Sequence, residues 1–193
     1  GSILYEKDAY RKCYPASTTK ILTGLLTIEN CNLSDTMTIS TNAANSVNPY
    51  EDANLSMKAG EQITVEQALY GLLLYSANEI AYALAEQVAG TADAFVDMMN
   101  NRASELGMND TSFKNTNGLD ADGHLTSAYD IALMSRELLK HEDILKYTGI
   151  WMDSLRDGKF GLANTNRLIR FYSGANGLKT GSTSKAGFCI SAT

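Results

Sequence analysis

Three helices in immediate succession, each with its own start and stop signal, constrain this chain more than any other feature. Thr64 and Gln67, three residues apart, form a capping box that opens a helix expected to run to about Tyr75. A second is expected from about Asn78 to Ala89, ended by Gly90. Thr91 caps a third, which runs to Leu106 and stops at Gly107. Ser127 with Asp130 opens another that ends near Lys140, and a helical pattern from about Ser17 to Asn30 precedes them all. In that first helix Ile21, Leu22, Leu25, Leu26 and Ile28 make one apolar face.

Strand signals lie outside this helical middle. Ile3-Leu4-Tyr5, Thr36 to Ser40, Gly158 to Ile169, Ala175 to Thr180 and Gly187 to Ala192 read as strands, with Ser173-Gly174 as a turn. Thr41 to Gly60 is polar and reads as loop, and Asn115 to Gly123 as a tight loop. The fold class expected is α/β (α+β): a small antiparallel sheet flanked by helices, with a helical subdomain inserted into it. Residues 1–193 are expected to form a single domain. About 1–30 and 150–193 supply its sheet part, and about 31–149 its mainly helical part.

Composition removes several function classes. Net charge is -6, which argues against a nucleic-acid partner, because phosphate binding needs clustered Lys and Arg. No run approaches the roughly 18 apolar residues of a membrane span. Gly1-Ser2 reads as a cloning remnant, so the natural N-terminus is expected to be missing, and the lack of a signal peptide says nothing about export. The three cysteines, Cys13, Cys31 and Cys189, have neither CxxC nor zinc spacing. They read as buried thiols, with a Cys13–Cys31 bridge as the alternative.

Chemistry is suggested by three short motifs. Ser17-Thr18-Thr19-Lys20 opens the first helix behind Pro15. Residues one turn apart share a helix face, so Lys20 can serve as base to a Ser17 nucleophile if it is kept neutral. Ser76-Ala77-Asn78 lies between two helices, where a hydroxyl can relay a proton and an amide can hold a lysine. Lys179-Thr180-Gly181 is expected to end a strand. Its cation and hydroxyl suit a carboxylate, and its glycine suits a closely approaching backbone. Each motif alone is weak. Ser-x-x-Lys recurs as Ser182-Thr-Ser-Lys185, and Ser-x-Asn recurs at Ser40 and Ser46.

Their order is specific. Together with Pro15-Ala16, Asn117-Gly118-Leu119-Asp120, Gly177-Leu178 and Lys185-Ala186-Gly187-Phe188, it resembles the low-molecular-mass D-Ala-D-Ala carboxypeptidases of peptidase family S11. These are penicillin-binding proteins of the β-lactamase/DD-peptidase-like superfamily. The resemblance runs from about Ile3 to Thr193. It implies Ser17 as nucleophile and Lys20 as base, with Ser76 and Asn78 protonating the leaving group and positioning Lys20. It further implies that Lys179 and Thr180 hold the terminal carboxylate, beside Gly181 and Ser182, and that the amides of Ser17 and Ser182 form the oxyanion hole. Peptidoglycan stem peptides and β-lactam antibiotics are the implied partners, no metal or cofactor is implied, and the implied location is the cell-wall side of the bacterial membrane. The family's sheet has more strands, so the sheet reads as truncated at both chain ends, and self-association through its open edges is expected.

Two other readings compete. A class A β-lactamase needs a deacylating glutamate between the second and third motifs, and Glu137 and Glu142 sit in helical strings without that context. An inactive peptidoglycan-binding module need not keep Ser17, Lys20, Asn78 and Lys179. Asp120-Ala-Asp122-Gly123 resembles the start of a calcium loop, but position twelve is Ile131, so a structural turn is expected. His124 and His141 read as surface or turn residues, and Asn166-Arg167 as a contact for the substrate peptide.

Overall fold

A computed structural model describes residues 2–193. In chain order the helices are α1 (Lys20–Asn30), α2 (Thr41–Asn45), α3 (Val65–Leu73), α4 (Asn78–Ala89), α5 (Ala92–Glu105), α6 (Ala128–Leu138), α7 (Leu145–Thr148) and α8 (Leu168–Phe171). The strands are β1 (Thr36–Thr38), β2 (Gln62–Thr64), β3 (Met152–Leu155), β4 (Phe160–Ala163), β5 (Leu178–Thr183) and β6 (Gly187–Ala192).

α1 is the axis of the molecule. Every residue from Lys20 to Thr27 is buried, so the helix is enclosed on all sides rather than on the one apolar face expected. α3, α4, α5 and α6 surround it, and β5 closes its N-terminal end. Its threonines make this possible by satisfying their own hydroxyls. Thr23 Oγ1 donates to Thr116 O at 2.7 Å, and Thr27 Oγ1 donates to Thr23 O at 2.8 Å. On the opposite wall Gly24 lets the Leu73 side chain come within 3.4 Å of where a β-carbon would stand.

The capping signals act as the sequence suggests. Thr64 and Gln67 complete a reciprocal capping box on α3, and Ser127 Oγ accepts from Asp130 N on α6. Gly90 ends α4 in the left-handed conformation at φ 80°.

The strands depart further from expectation. They form three separate two-stranded antiparallel sheets, β1–β2, β3–β4 and β5–β6, the first pair joined by a long connection that contains α2. Ile3-Leu4-Tyr5 forms no strand: the three side chains are 55%, 97% and 82% exposed. The Gly158–Ile169 stretch splits into β4 and the helical turn α8, because Asn166 Oδ1 accepts from Leu168 N and turns the chain. β3 was not anticipated, and β5 begins at Leu178, later than expected. Within Thr41 to Gly60, Ser40 caps the short helix α2. All three cysteines are free and half-buried, so there is no Cys13–Cys31 bridge.

Candidate active site

Behind Pro15 the chain enters α1 through a 3-10 turn, Ala16–Thr19. Thr18 Oγ1 donates to Pro15 O at 2.6 Å and fixes that turn. Ala16, immediately before Ser17, takes a positive φ of 48°, a costly conformation for a residue with a β-carbon. Two glycines enclose this backbone. A β-carbon on Gly118, itself at φ +95°, would meet Ala16 O at 1.9 Å, and one on Gly181 would meet Ser17 N at 2.6 Å. The Asn117–Asp120 loop and strand β5 therefore press on the Ser17 amide, and only glycine permits either approach.

Lys20 lies wholly inside the protein. Its Nζ is 3.0 Å from Ser17 Oγ, 2.6 Å from Asn78 Oδ1 and 2.7 Å from Asn117 O. No ion pair forms at Lys20 among the described residues. Burial, and then the nearby cation of Lys179, hold its pKa well below the usual lysine range, against weaker support from Glu79 and Asp52. A neutral Lys20 can donate to Asn78 and Asn117 while accepting the Ser17 hydroxyl proton. That is the hydrogen-bonding pattern of a general base.

Asn78 meets Lys20 from the α3–α4 elbow, and Ser76 lies two residues before it, buried at 5% exposure. Ser76 stands at φ 69°, a second strained non-glycine position. Its hydroxyl makes no hydrogen bond within the protein among the described residues, so it is free to serve an incoming group. Behind it, Asn78 N donates to Ala53 O at 2.8 Å and holds the elbow to the loop before β2.

On β5, Lys179 is 1% exposed, and burial lowers it to about 7. Its Nζ donates only to Thr180 O, at 2.8 Å. Thr180 Oγ1 donates to Thr165 Oγ1 at 2.6 Å. A cavity of about 500 Å³ opens beside Thr165, lined also by Asp52, Tyr75 and Phe160. Ser182 is exposed on the same strand. Ser17, Lys20, Asn78 and Lys179, far apart in sequence, thus converge with Ser76, Thr180, Gly181 and Ser182 around the start of α1.

Four contributors have roles that sequence reasoning did not assign. Asp120 accepts from Thr183 Oγ1 at 2.7 Å and from Lys185 N at 3.3 Å, so its loop clamps both the Ser17 turn and the β5–β6 turn. His124 is fully buried rather than on the surface. Lys114 N donates to its Nδ1 at 3.0 Å, which leaves Nε2–H to donate to Thr19 Oγ1 at 2.9 Å. Glu79 is 1% exposed beside Asn78, and Thr165 partners Thr180. Only Asn117-Gly118-Leu119-Asp120 had a sequence signal. Asn166 is not available to a peptide as expected, since its buried Nδ2 donates to Gly177 O at 2.8 Å. Arg167 is exposed and lies over the Phe171 ring. Among the described residues no three His, Cys, Asp or Glu side chains gather as metal ligands.

The model of the D-alanyl-D-alanine carboxypeptidase family, peptidase S11, matches residues 1–193. The chain belongs to that family. Among S11 relatives, D-alanyl-D-alanine carboxypeptidase DacF of Bacillus subtilis is 44% identical over 200 residues, covering 100% of this chain and 50% of the relative. The D-alanyl-D-alanine carboxypeptidase of Streptomyces strain K15 is 33% identical, covering 98% of this chain and 71% of the relative. The crystal structure of penicillin-binding protein 6B from Escherichia coli superposes with a TM-score of 0.90 at 32% identity, over 100% of this chain and 63% of that one. The chain spans about half the length of the B. subtilis relative.

Proposed function

We propose that this chain carries the catalytic centre of a serine D-Ala-D-Ala carboxypeptidase acting on peptidoglycan stem peptides. The observation that carries the reading is the Lys20 Nζ to Ser17 Oγ distance of 3.0 Å, with the lysine buried and unpaired. As Ser17 Oγ attacks the carbonyl between two D-alanines, its proton passes to Lys20. The amides of Ser17 and Ser182 receive the developing oxyanion. Ser76 relays the proton from Lys20 to the leaving D-alanine nitrogen, and the C–N bond breaks. Asn78 keeps Lys20 aimed. Lys179 and Thr180 hold the terminal carboxylate, which would supply the charge partner that Lys179 lacks. Water then attacks the acyl-enzyme carbon, and Ser17 recovers its proton.

A β-lactam ring offers the same carbonyl and cannot diffuse away after opening, so penicillins acylate Ser17. The substrate places the protein on the cell-wall side of the bacterial membrane. The outer edge of β6, unpaired among the described residues, is where association with another copy would occur.

The test is D-alanine release from a diacyl-D-Ala-D-Ala peptide. Release by the wild type that disappears in Ser17→Ala supports the reading. A folded protein that binds the peptide and releases nothing is a binding module instead.

A further inference from the structure

Glu79 is a carboxylate enclosed almost completely, at 1% exposure, on the first turn of α4. Its Oε1 accepts from Leu55 N at 2.6 Å and from Met57 N at 3.5 Å. Its Oε2 is buried with no hydrogen-bond partner, an expensive arrangement for a carboxylate. The segment it holds is the one whose Ala53 O accepts from Asn78 N. Asp52 and Ala53 of that segment also line the cavity beside Thr165. The strand of chain from Asp52 to Met57 is therefore fastened to the elbow twice: once at the Asn78 backbone and once at the next side chain.

We propose that Glu79 is a positioning residue for acyl transfer. Its carboxylate fastens the Ala53–Met57 segment around Asn78, which accepts from Lys20 Nζ at 2.6 Å, and so aims Lys20, and it places a buried negative charge one residue from that contact. The inference rests on the base role of Lys20. The charged groups around Lys20 are Lys179 from β5, Asp52 from the preceding loop and Glu79 from α4, the last two opposing the first. Burial pushes the Glu79 carboxyl up, while the Leu55 and Met57 amides and Lys20 pull it back, so the two groups are mutually linked. Neither Asp52 nor Glu79 touches Lys20 Nζ. Their effect is on its charge, not on its hydrogen bonds.

The experiment is the rate of acylation by a fluorescent penicillin from pH 5 to pH 10, in the wild type, E79Q and E79D. Acylation rises with pH as Lys20 loses its proton. E79Q keeps an acceptor for Leu55 N and removes the charge. Its acid limb is expected to move to lower pH, with the plateau rate within about threefold of wild type. E79D keeps the charge and shortens the reach. Its acid limb is expected to stay in place while the plateau falls about tenfold.

An E79Q limb at the wild-type pH overturns the charge role, and an unchanged E79D plateau overturns the positioning role. Should E79Q fail to fold, carboxyl NMR of Glu79 in Lys20→Met replaces it: the Glu79 titration must move up, and an unmoved titration overturns the linkage. Failure of the underlying reading looks different, because Lys20→Met would then acylate as fast as the wild type and with the same pH limb, whatever Glu79 contributes.

Discussion

Two segments of this chain have the same Ser-x-x-Lys spacing and opposite surroundings. Ser17–Lys20 enters a buried helix, whereas Ser182–Lys185 leaves a strand for an exposed turn. Lys20 is 0% exposed, has three oxygen partners and no ion pair, and is driven toward the neutral form. The Lys185 side chain is 50% exposed and lies 3.6 Å from Asp122. Its contact with the Tyr14 hydroxyl, and then the charges of Asp122 and Asp120, hold its pKa up. The spacing brings a lysine near a serine in both places. Only desolvation makes one of those lysines a base, so the chemistry belongs to the environment and not to the four-residue string.

The largest expected difference between the two segments is kinetic. Lys20→Met should slow penicillin acylation by about 10³-fold, within the range for loss of a general base. Lys185→Met should stay within about threefold, as expected of an exposed, screened ion pair. A comparable loss in both variants would break the distinction.

Next in size is a backbone effect. Gly118→Ala forces a β-carbon to 1.9 Å from Ala16 O at φ +95°, and should cost about 4 kcal/mol of stability, measured by urea unfolding. Gly187→Ala, next to the second motif, has φ +67° and nothing within 4 Å. It should cost about 1 kcal/mol, the left-handed penalty alone. Equal losses would mean that the Asn117–Asp120 loop does not press on the Ser17 turn.

The third is a pH effect on the buried side alone. Burial lowers His124 from 6.5 to about 4. The native state therefore resists a proton that the unfolded chain accepts. The stability contributed is present in full above pH 6.5 and is lost as pH falls through about 4, amounting to about 3 kcal/mol. Urea midpoints at pH 7 and pH 4.5 should fall in the wild type and differ less in His124→Gln. A wild-type stability independent of pH across that window would show that His124 is not held neutral.

The same contrast governs what was legible in the sequence. Local signals located the helices well. Asn78 to Ala89 and Gly187 to Ala192 were read with their observed limits, because a glycine stop and an alternating run are self-contained. The Ser17, Ser76 and Lys179 motifs were found by order and spacing, and all three converge on the start of α1. What failed depended on partners elsewhere in the chain. Ile3-Leu4-Tyr5 has strand composition but meets no strand. His124 sits in a polar loop that reads as surface, and it is buried only because that loop folds back onto Thr19. Glu79 looks like an ordinary acidic residue on a first helical turn until Leu55 N reaches it. Sequence patterns report the residue's own preference, whereas burial of a charge is decided by distant segments.

The most direct test of the account is to find which serine an antibiotic modifies. The protein is incubated with a penicillin, digested, and the adduct located by peptide mass. One adduct on the peptide containing Ser17, absent in Ser17→Ala and unchanged in Ser182→Ala, is the predicted result. An adduct on Ser182, or none on a folded protein, would contradict the claim that the buried Ser17–Lys20 pair is the reactive centre.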